Sequence, residues 1–394
     1  MEKAELIGEK VIKRITVFAC AAFVAAVSVD LKATAFNEFD FKKKFAITPN
    51  ATLMQKFGDG TLAGYPLLVK IDPTNIEGFS YGDLENSGRD FAFTDENGAL
   101  LPYEIDTWNE AGESLVWVRV PSLSTNTVLT CYYGGSDSGM MNSAAVWYGY
   151  IGVWHMSEGS GTVADASGNG YTATPTKGTT GDLAQQIAVT GVIGNARQNS
   201  STNFLSNGSW NYLYLSIPSY DKENCAGVFT FSAWYKFYAV TDYPRLASRK
   251  STIKGTDGWE VELSKSSSLA CVRGSGNTTT VKPTFNPELT AGWSYLTFVY
   301  NGTTVTIYQN GEQLASGTIE NAGDNGLPLS IGCDSNGDGT PISGCYDEAR
   351  LCKGTIEALK VWTDYNAVVT KLFDYGASVS VDKDTKSGVT ILYF

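Results

Sequence analysis

Beyond residue 36 the chain is cut repeatedly into short runs of aromatic and β-branched residues, separated by Gly, Asn, Asp and Pro. That rhythm suits strands of antiparallel sheets, which need side chains that pack on a pleated surface and then residues that accept turn backbone. In residues 36–135 the runs read YPLLVKI, GRDFAFTDENGALLPYEIDTW, ESLVWVRVPSL and TVLTCYYGG. Phe91 and Phe93 alternate ahead of Asn97-Gly98, a pair that fits the positive φ angles of a tight hairpin. Leu115, Val118 and Val120 around Trp117 predict a largely buried strand, ended by Pro121.

GGSDSGMMNSAAV, residues 134–146, reads as a linker. A second series comes after it: VWYGYIGVWHMSE, YLYLSIP, VFTFSAWYKF, GWEVELS, SYLTFVYNGTTVTIYQNGEQLAS, LPLSIG and CYDEARL. Asn-Gly pairs at Asn301 and Asn310 frame one strand, with Val305 and Ile307 on one face and Thr306 and Tyr308 on the other. TIEALKVWTDYNAVVTKLF has the apolar spacing of a helix, with Thr355 placed to cap it, and should pack on the second sandwich. The last run, ASVSVDKDTKSGVTILYF, either pairs back or begins a third unit. A chain of 394 residues suits two such domains better than one core. The expected fold is all-β: two antiparallel β-sandwich domains, 36–140 and 147–376, the second with a C-terminal helix, then a strand-like tail, 377–394.

Lys10, Lys13 and Arg14 precede an apolar stretch, residues 15–29, and Ala33-Thr34-Ala35 offers a small-x-small cleavage site. Residues 1–35 therefore read as a signal peptide. The apolar run of about 15 residues is short of the ~20 a membrane span needs, so no transmembrane span is expected after cleavage. Cys20 would suit a lipoprotein, but bulky Phe18 stands where a small residue belongs. The expected location is secreted, periplasmic or cell-surface.

Six cysteines then remain in an oxidising compartment. Cys333 and Cys345 bracket the loop DSNGDGTPISG and are the best local disulfide candidates; closing a loop of that size contributes about 3 kcal/mol. The bland alternative is a set of small buried thiols.

Charge and composition exclude other functions. Forty-one Asp and Glu against 29 Lys and Arg give a net charge of −12, which repels a phosphate backbone, so nucleic acid is not an expected partner. A single histidine, His155, rules out zinc sites built from several imidazoles. Flanked by Trp154 and Met156 on an aromatic strand, it reads as a partly buried, hydrogen-bonded imidazole rather than a base.

Residues 65–135 resemble the bacterial domain of unknown function 2341, through YPLLVKI, GRDFAFTDENGALLPYEIDTW, SLVWVRVPSL and YYGG. Residues from about 151 to 376 resemble the laminin-G-like branch of the concanavalin A-like lectin and glucanase superfamily. The marks are GVWHMSEGSGTVADASGNGY, YLSIP, FTFSAWYK, WSYLTFVYNGTTVTIYQNGEQLASG, LSIG and GCYDEARL, in that order. The second resemblance implies a concanavalin A-like jelly roll and, in many relatives, carbohydrate or protein binding outside the cell. Superfamily members also include enzymes.

The resemblance prompts a test of Glu104-Ile105-Asp106-Thr107-Trp108-Asn109-Glu110 against the acid pattern of lectin-fold glucanases. The last Glu comes one position late, and at ~3.3 Å per residue it would lie roughly 20 Å from Glu104, beyond the reach of a two-carboxylate mechanism. No catalytic residue is assigned. For a structural Ca2+, Asp334 and Asp338 imitate the front of a calcium loop, although Cys345 stands where an EF-hand needs Glu. Similarity to calcium-holding lectin sandwiches adds Asp165 and Asp347. For sugar, Trp210, Tyr212, Tyr243 and Trp259 lie near loops, whereas Tyr214, Trp234, Tyr300 and Tyr308 sit inside strands as core or sheet-face residues.

The expected function is a secreted, non-catalytic carbohydrate-binding or adhesive protein whose partner is a glycan, a cell-surface polysaccharide or a protein. A glycan-degrading hydrolase using Asp and Glu and a structural surface protein are the alternatives.

Overall fold

The computed structural model describes residues 36–85, 87–177, 187–199, 213–217, 227–239, 244–250, 258–263, 269–271, 292–319, 326–334 and 341–382. Turn chemistry sets the hairpins. Asn310 and Gly311 both take positive φ, 53° and 84°, so Thr304–Gln309 returns as Glu312–Thr318 through two residues, with Gln309 opposite Glu312. Asn301 Oδ1 accepts from the Thr303 and Thr304 amides before that strand. The turn at 95–99 is longer: Asp95 Oδ1 accepts from the Asn97 and Ala99 amides, and Gly98 supplies a φ of 78°.

Two sheets share the first core. One runs Phe373–Tyr375, Lys43–Pro49, Leu129–Tyr133, Ala92–Thr94, Leu100–Leu101 in spatial order; the other is Leu62–Ile71, Ser114–Leu123, Tyr103–Thr107. Phe45, Leu67, Phe93, Val116 and Val118 meet between them. The C-terminal tail pairs back as far as it is described. Pro49 stands opposite Phe373, and Val379–Ser380 joins the start of the same Lys43–Pro49 strand.

The second core lies between larger sheets. The eight-stranded one runs Ile187–Thr190, Asn195–Asn199, Ser343–Lys353, Phe229–Ala239, Trp293–Tyr300, Thr304–Gln309, Glu312–Thr318, with Tyr150–Trp154 also on Ser343–Lys353. The six-stranded one runs Leu269–Cys271, Glu260–Leu263, Arg245–Ser248, Leu329–Ile331, Leu213–Ile217, Thr174–Lys177. Phe231, Leu296, Phe298 and Ile307 from the first sheet pack on Leu215, Leu246, Val261 and Ile331 from the second. The all-β expectation holds.

The helix Ala358–Val369 starts later than Thr355 predicts: Glu357 is its N-cap residue, and no side chain bonds the cap. Nor does it serve one sandwich alone. Val361 packs beside Trp234, Tyr295 and Tyr308 on the outer face of the eight-stranded sheet, while Ala367 enters the first core. The described residues from Phe36 onward form a single compact unit.

Gly344 tests how closely the central strands approach. An added Cβ there would stand 1.9 Å from the Lys236 carbonyl oxygen, and backbone cannot yield as a side-chain tip can. Gly344→Ala is expected to cost about 3 kcal/mol of stability, read as an earlier guanidinium midpoint; an unchanged midpoint would refute the pairing of Ser343–Lys353 with Phe229–Ala239.

Candidate functional site

On the strand Ser343–Lys353, Tyr346, Ala349 and Leu351 point into the second core. Strict alternation would send Glu348 there too. A register shift prevents it: Trp234 faces Asp347 and Ser232 faces Arg350, so Glu348 and Ala349 stand opposite Ala233 alone. This is a β-bulge, and the extra residue flips the face of every residue after it on the strand. Glu348 takes a left-handed backbone, φ 48°, to make it. Glu348 and Arg350 leave the core as a result and join Asp347, which alternation already places on the opposite face.

His155 comes directly after the strand Tyr150–Trp154, whose Trp154 faces the second core as does Met156, leaving the imidazole on the other side. From the first sandwich, Tyr103 and Ile105 face their own core, so period-two alternation presents Glu104 and Asp106 to the imidazole. Nδ1 stands 2.6 Å from Glu348 Oε1 and 3.1 Å from Asp106 Oδ2; Nε2 stands 3.4 Å from Glu104 Oε2. The Trp147 indole donates to Glu104 Oε2 at 2.5 Å and the Trp117 indole to Asp106 Oδ2 at 3.3 Å. Arg350 donates to Glu348 Oε2 at 2.6 Å, its guanidinium 4.6 Å from the Trp117 ring centre and 4.8 Å from that of Trp147.

Crowding sets the electrostatics. Burial opposes the His155 cation, but the charges of Glu348, Glu104 and Asp106 raise its pKa well above the ordinary value. Burial likewise opposes the Glu348 anion, yet His155 and Arg350 outweigh it and lower that carboxyl. Burial drives Asp106 up to about 6, with His155 offsetting only part. Burial and the Glu348 charge raise Asp347 well above the ordinary carboxylate range. His155 is 8% exposed and Glu348 fully buried, so this cluster cannot touch a polysaccharide.

At the opposite end of the Tyr150–Trp154 strand a cleft of 430 Å³ opens, lined by Tyr148, Tyr150, Ser167, Asn169, Tyr171 and Lys353 among others. Tyr148 is 75% exposed. Arg119 fixes its backbone by donating to the Val146 and Tyr148 carbonyls at 2.9 Å, the guanidinium 5.6 Å from the ring centre. Asn169 Nδ2 donates to the Tyr150 and Ile151 carbonyls, closing the loop over the cleft. The sequence reading missed these residues; the density of aromatics in WYGY, directly after a linker, was the available signal.

The residues expected from sequence are placed differently. Trp259 does not face solvent: it is 1% exposed in the second core, its ring 4.7 Å from Phe229, because the residue next to Glu260–Leu263 continues that strand's inward face. Trp210, Tyr212, Tyr243 and Asp338 lie outside the described residues. Asp165 Oδ1 accepts from the Val153 and Ser167 amides and Oδ2 from Tyr171. Asp347 Oδ2 accepts from Val192 and Ile193. Asp334 is buried, 3.5 Å from Cys333 Sγ.

Cys333 and Cys345 are not joined. Both are thiols: Cys333 lies in the bend after Leu329–Ile331 and packs on Tyr214, whereas Cys345 lies on Ser343–Lys353 with its Sγ 3.1 Å from the Tyr238 hydroxyl. Of the suspected acid series, Glu104 and Asp106 are committed to His155, while Glu110 is exposed and accepts from the Trp108 indole.

Two known families match successive segments of the chain. Residues 87–165 match the domain of unknown function 2341, and residues 207–361 match the concanavalin A-like lectin/glucanases superfamily. No curated protein matches the chain significantly. Among solved structures, domain 4 of AbnA, a GH43 extracellular arabinanase from Geobacillus stearothermophilus, in complex with arabinotriose, is 17% identical at a TM-score of 0.41, covering 54% of this chain and 96% of that one. The binding domain of Paraclostridial Mosquitocidal Protein 1 is 14% identical at 0.42, covering 56% of this chain and 52% of that one. The binding domain of botulinum neurotoxin DC in complex with SialylT is 13% identical at 0.40, again covering 56% and 52%. The chain thus spans about half the length of those two binding domains.

Arg350→Met removes the guanidinium and leaves the Glu348 carboxylate buried among other acids. Breaking a buried pair in this way costs about 3 kcal/mol or more, so urea denaturation should show a clearly earlier midpoint. Lys371→Ala, in an exposed pair with Asp374, should leave the midpoint in place; equal effects would mean that the cluster contributes no more than surface charge.

Proposed function

We propose that a chain joining these two matched segments is a carbohydrate-binding protein of the cell exterior that holds glycans without cleaving them. The tyrosine cleft carries this reading. A sugar presents an apolar face that stacks on a flat ring and a rim of hydroxyls that needs polar partners. Tyr148 and Tyr171 supply rings, and Ser167, Asn169 and Lys353 supply the polar rim. The match of residues 207–361 to a lectin and glucanase superfamily supports the same reading at the level of fold. The signal-like residues 1–35 support an exterior location.

Binding is favoured over hydrolysis by the composition of the lining. A glycosidase needs two carboxyl groups about 5–9.5 Å apart across the scissile bond, and none of the described residues lining the cleft is acidic. Glu104, Asp106 and Glu348 are engaged with His155 instead.

A glycan array probed with the purified protein, once with calcium and once with chelator, tests the proposal. Binding to a defined class of glycan is expected, and Tyr148→Ala should weaken it about tenfold, the loss of roughly 1.4 kcal/mol of stacking. Its melting temperature should stay unchanged, since the ring is exposed. Loss of binding on chelation would assign a calcium role, with Asp165 and Asp347 the residues to change first. Release of shorter saccharides would overturn the non-catalytic reading, and silence on every glycan would shift the assignment to a protein partner.

A further inference from the structure

The cluster around His155 holds more negative charge than its own cations answer. Four buried or nearly buried carboxyl groups, from Glu104, Asp106, Asp347 and Glu348, gather about one imidazole and one guanidinium. Nδ1 is approached by Glu348 at 2.6 Å and Asp106 at 3.1 Å, and one N–H cannot serve two carboxylates well. Asp347 Oδ1 is buried without a hydrogen-bond partner, as are two nitrogens of the cluster, Arg350 Nε and His155 Nε2, the latter 3.4 Å from Glu104 Oε2. Asp347 is fully buried. The crowding of Asp106, Glu104 and Glu348 around one imidazole is costly unless further positive charge answers it.

We infer that Asp106 Oδ2, His155 Nδ1 and Glu348 Oε1 form a binding site for a divalent transition-metal ion of the zinc class. The ligand atoms of these residues lie within 4.8 Å of one another. Two ligands of a tetrahedral ion at ~2.0–2.1 Å stand roughly 3.3 Å apart; Nδ1 is 3.1 Å from Asp106 Oδ2, near that spacing, and 2.6 Å from Glu348 Oε1, which must move outward for an ion to enter. Glu104 stands behind the imidazole, its Oε2 3.4 Å from Nε2; closing that gap to an Nε2–H···Oε2 bond when the ion binds would fix the tautomer that leaves the Nδ1 lone pair for the metal. Trp147 in turn fixes Glu104. An imidazole nitrogen with two carboxylates suits zinc or its neighbours better than calcium, which prefers an all-oxygen shell. A divalent ion with neutral imidazole also cancels one more negative charge than an imidazolium does. Asp106 comes from the first sandwich and His155 and Glu348 from the second, so the ion would be a structural staple between them. The proposal is independent of the glycan reading.

The experiment uses the full purified protein. Metal content is measured by plasma mass spectrometry; after chelator treatment and dialysis, zinc, manganese and calcium are titrated separately with the melting temperature as readout. About one equivalent of bound metal and a rise of about 3 °C or more with zinc are expected. Asp106→Asn and His155→Gln should each weaken zinc binding at least tenfold. Should either variant fail to fold, the titration of the unmodified chain still decides. No bound metal together with no zinc-dependent rise would overturn the inference. So would a response to calcium alone, or a zinc response unchanged in folded Asp106→Asn.

Discussion

The extra residue at Glu348–Ala349 is the constraint on which the joint between the two sandwiches depends. Without it, strict alternation would drive a carboxylate into an apolar core and turn Arg350 with it. With it, Tyr346, Ala349 and Leu351 stay inside while Asp347, Glu348 and Arg350 emerge together on the opposite face. The bulge sits where two partners change over, since Asn195–Asn199 pairs with residues 344–346 and Tyr150–Trp154 with residues 349–352. That gap in the ladder gives the side chains room to meet the acids of Tyr103–Thr107. The left-handed backbone of Glu348 is the local strain the arrangement bears.

Such a cluster is weak evidence for stability in itself, because desolvation opposes every charge in it. Its more secure consequence is specificity of docking. A guanidinium stacked on Trp117 and Trp147, with each indole bonding a different acid, permits one relative position of the sheets. The helix Ala358–Val369 and the return of Phe373–Tyr375 to the first sheet reinforce it from the other side. The tyrosine cleft then lies at the start of the Tyr150–Trp154 strand, whose end His155 follows.

Much of the fold was legible in sequence because its information is local. Asn310-Gly311 announces its own turn, and Val305 and Ile307 alternate into the core as written. Tertiary information was not legible. Glu104 could be read only along its own strand, as a failed acid series, since nothing local says that residues 155 and 348 converge on it. Trp259 looks like a loop aromatic until the sheet that buries it is known, and Cys333 and Cys345 look like partners until each thiol is seen packed on a different tyrosine. The helix cap failed for a related reason: packing against both sandwiches, rather than Thr355, sets where Ala358–Val369 begins.

The central claim is that this charged junction makes the two sandwiches open as one body. Hydrogen exchange monitored by mass spectrometry across a urea series reads it directly, by comparing amides of Tyr103–Thr107 in the first sandwich with those of Phe229–Ala239 in the second. The account predicts that both sets lose protection together, with the same dependence on urea. Exchange of Tyr103–Thr107 at lower urea, while Phe229–Ala239 stays protected, would contradict it.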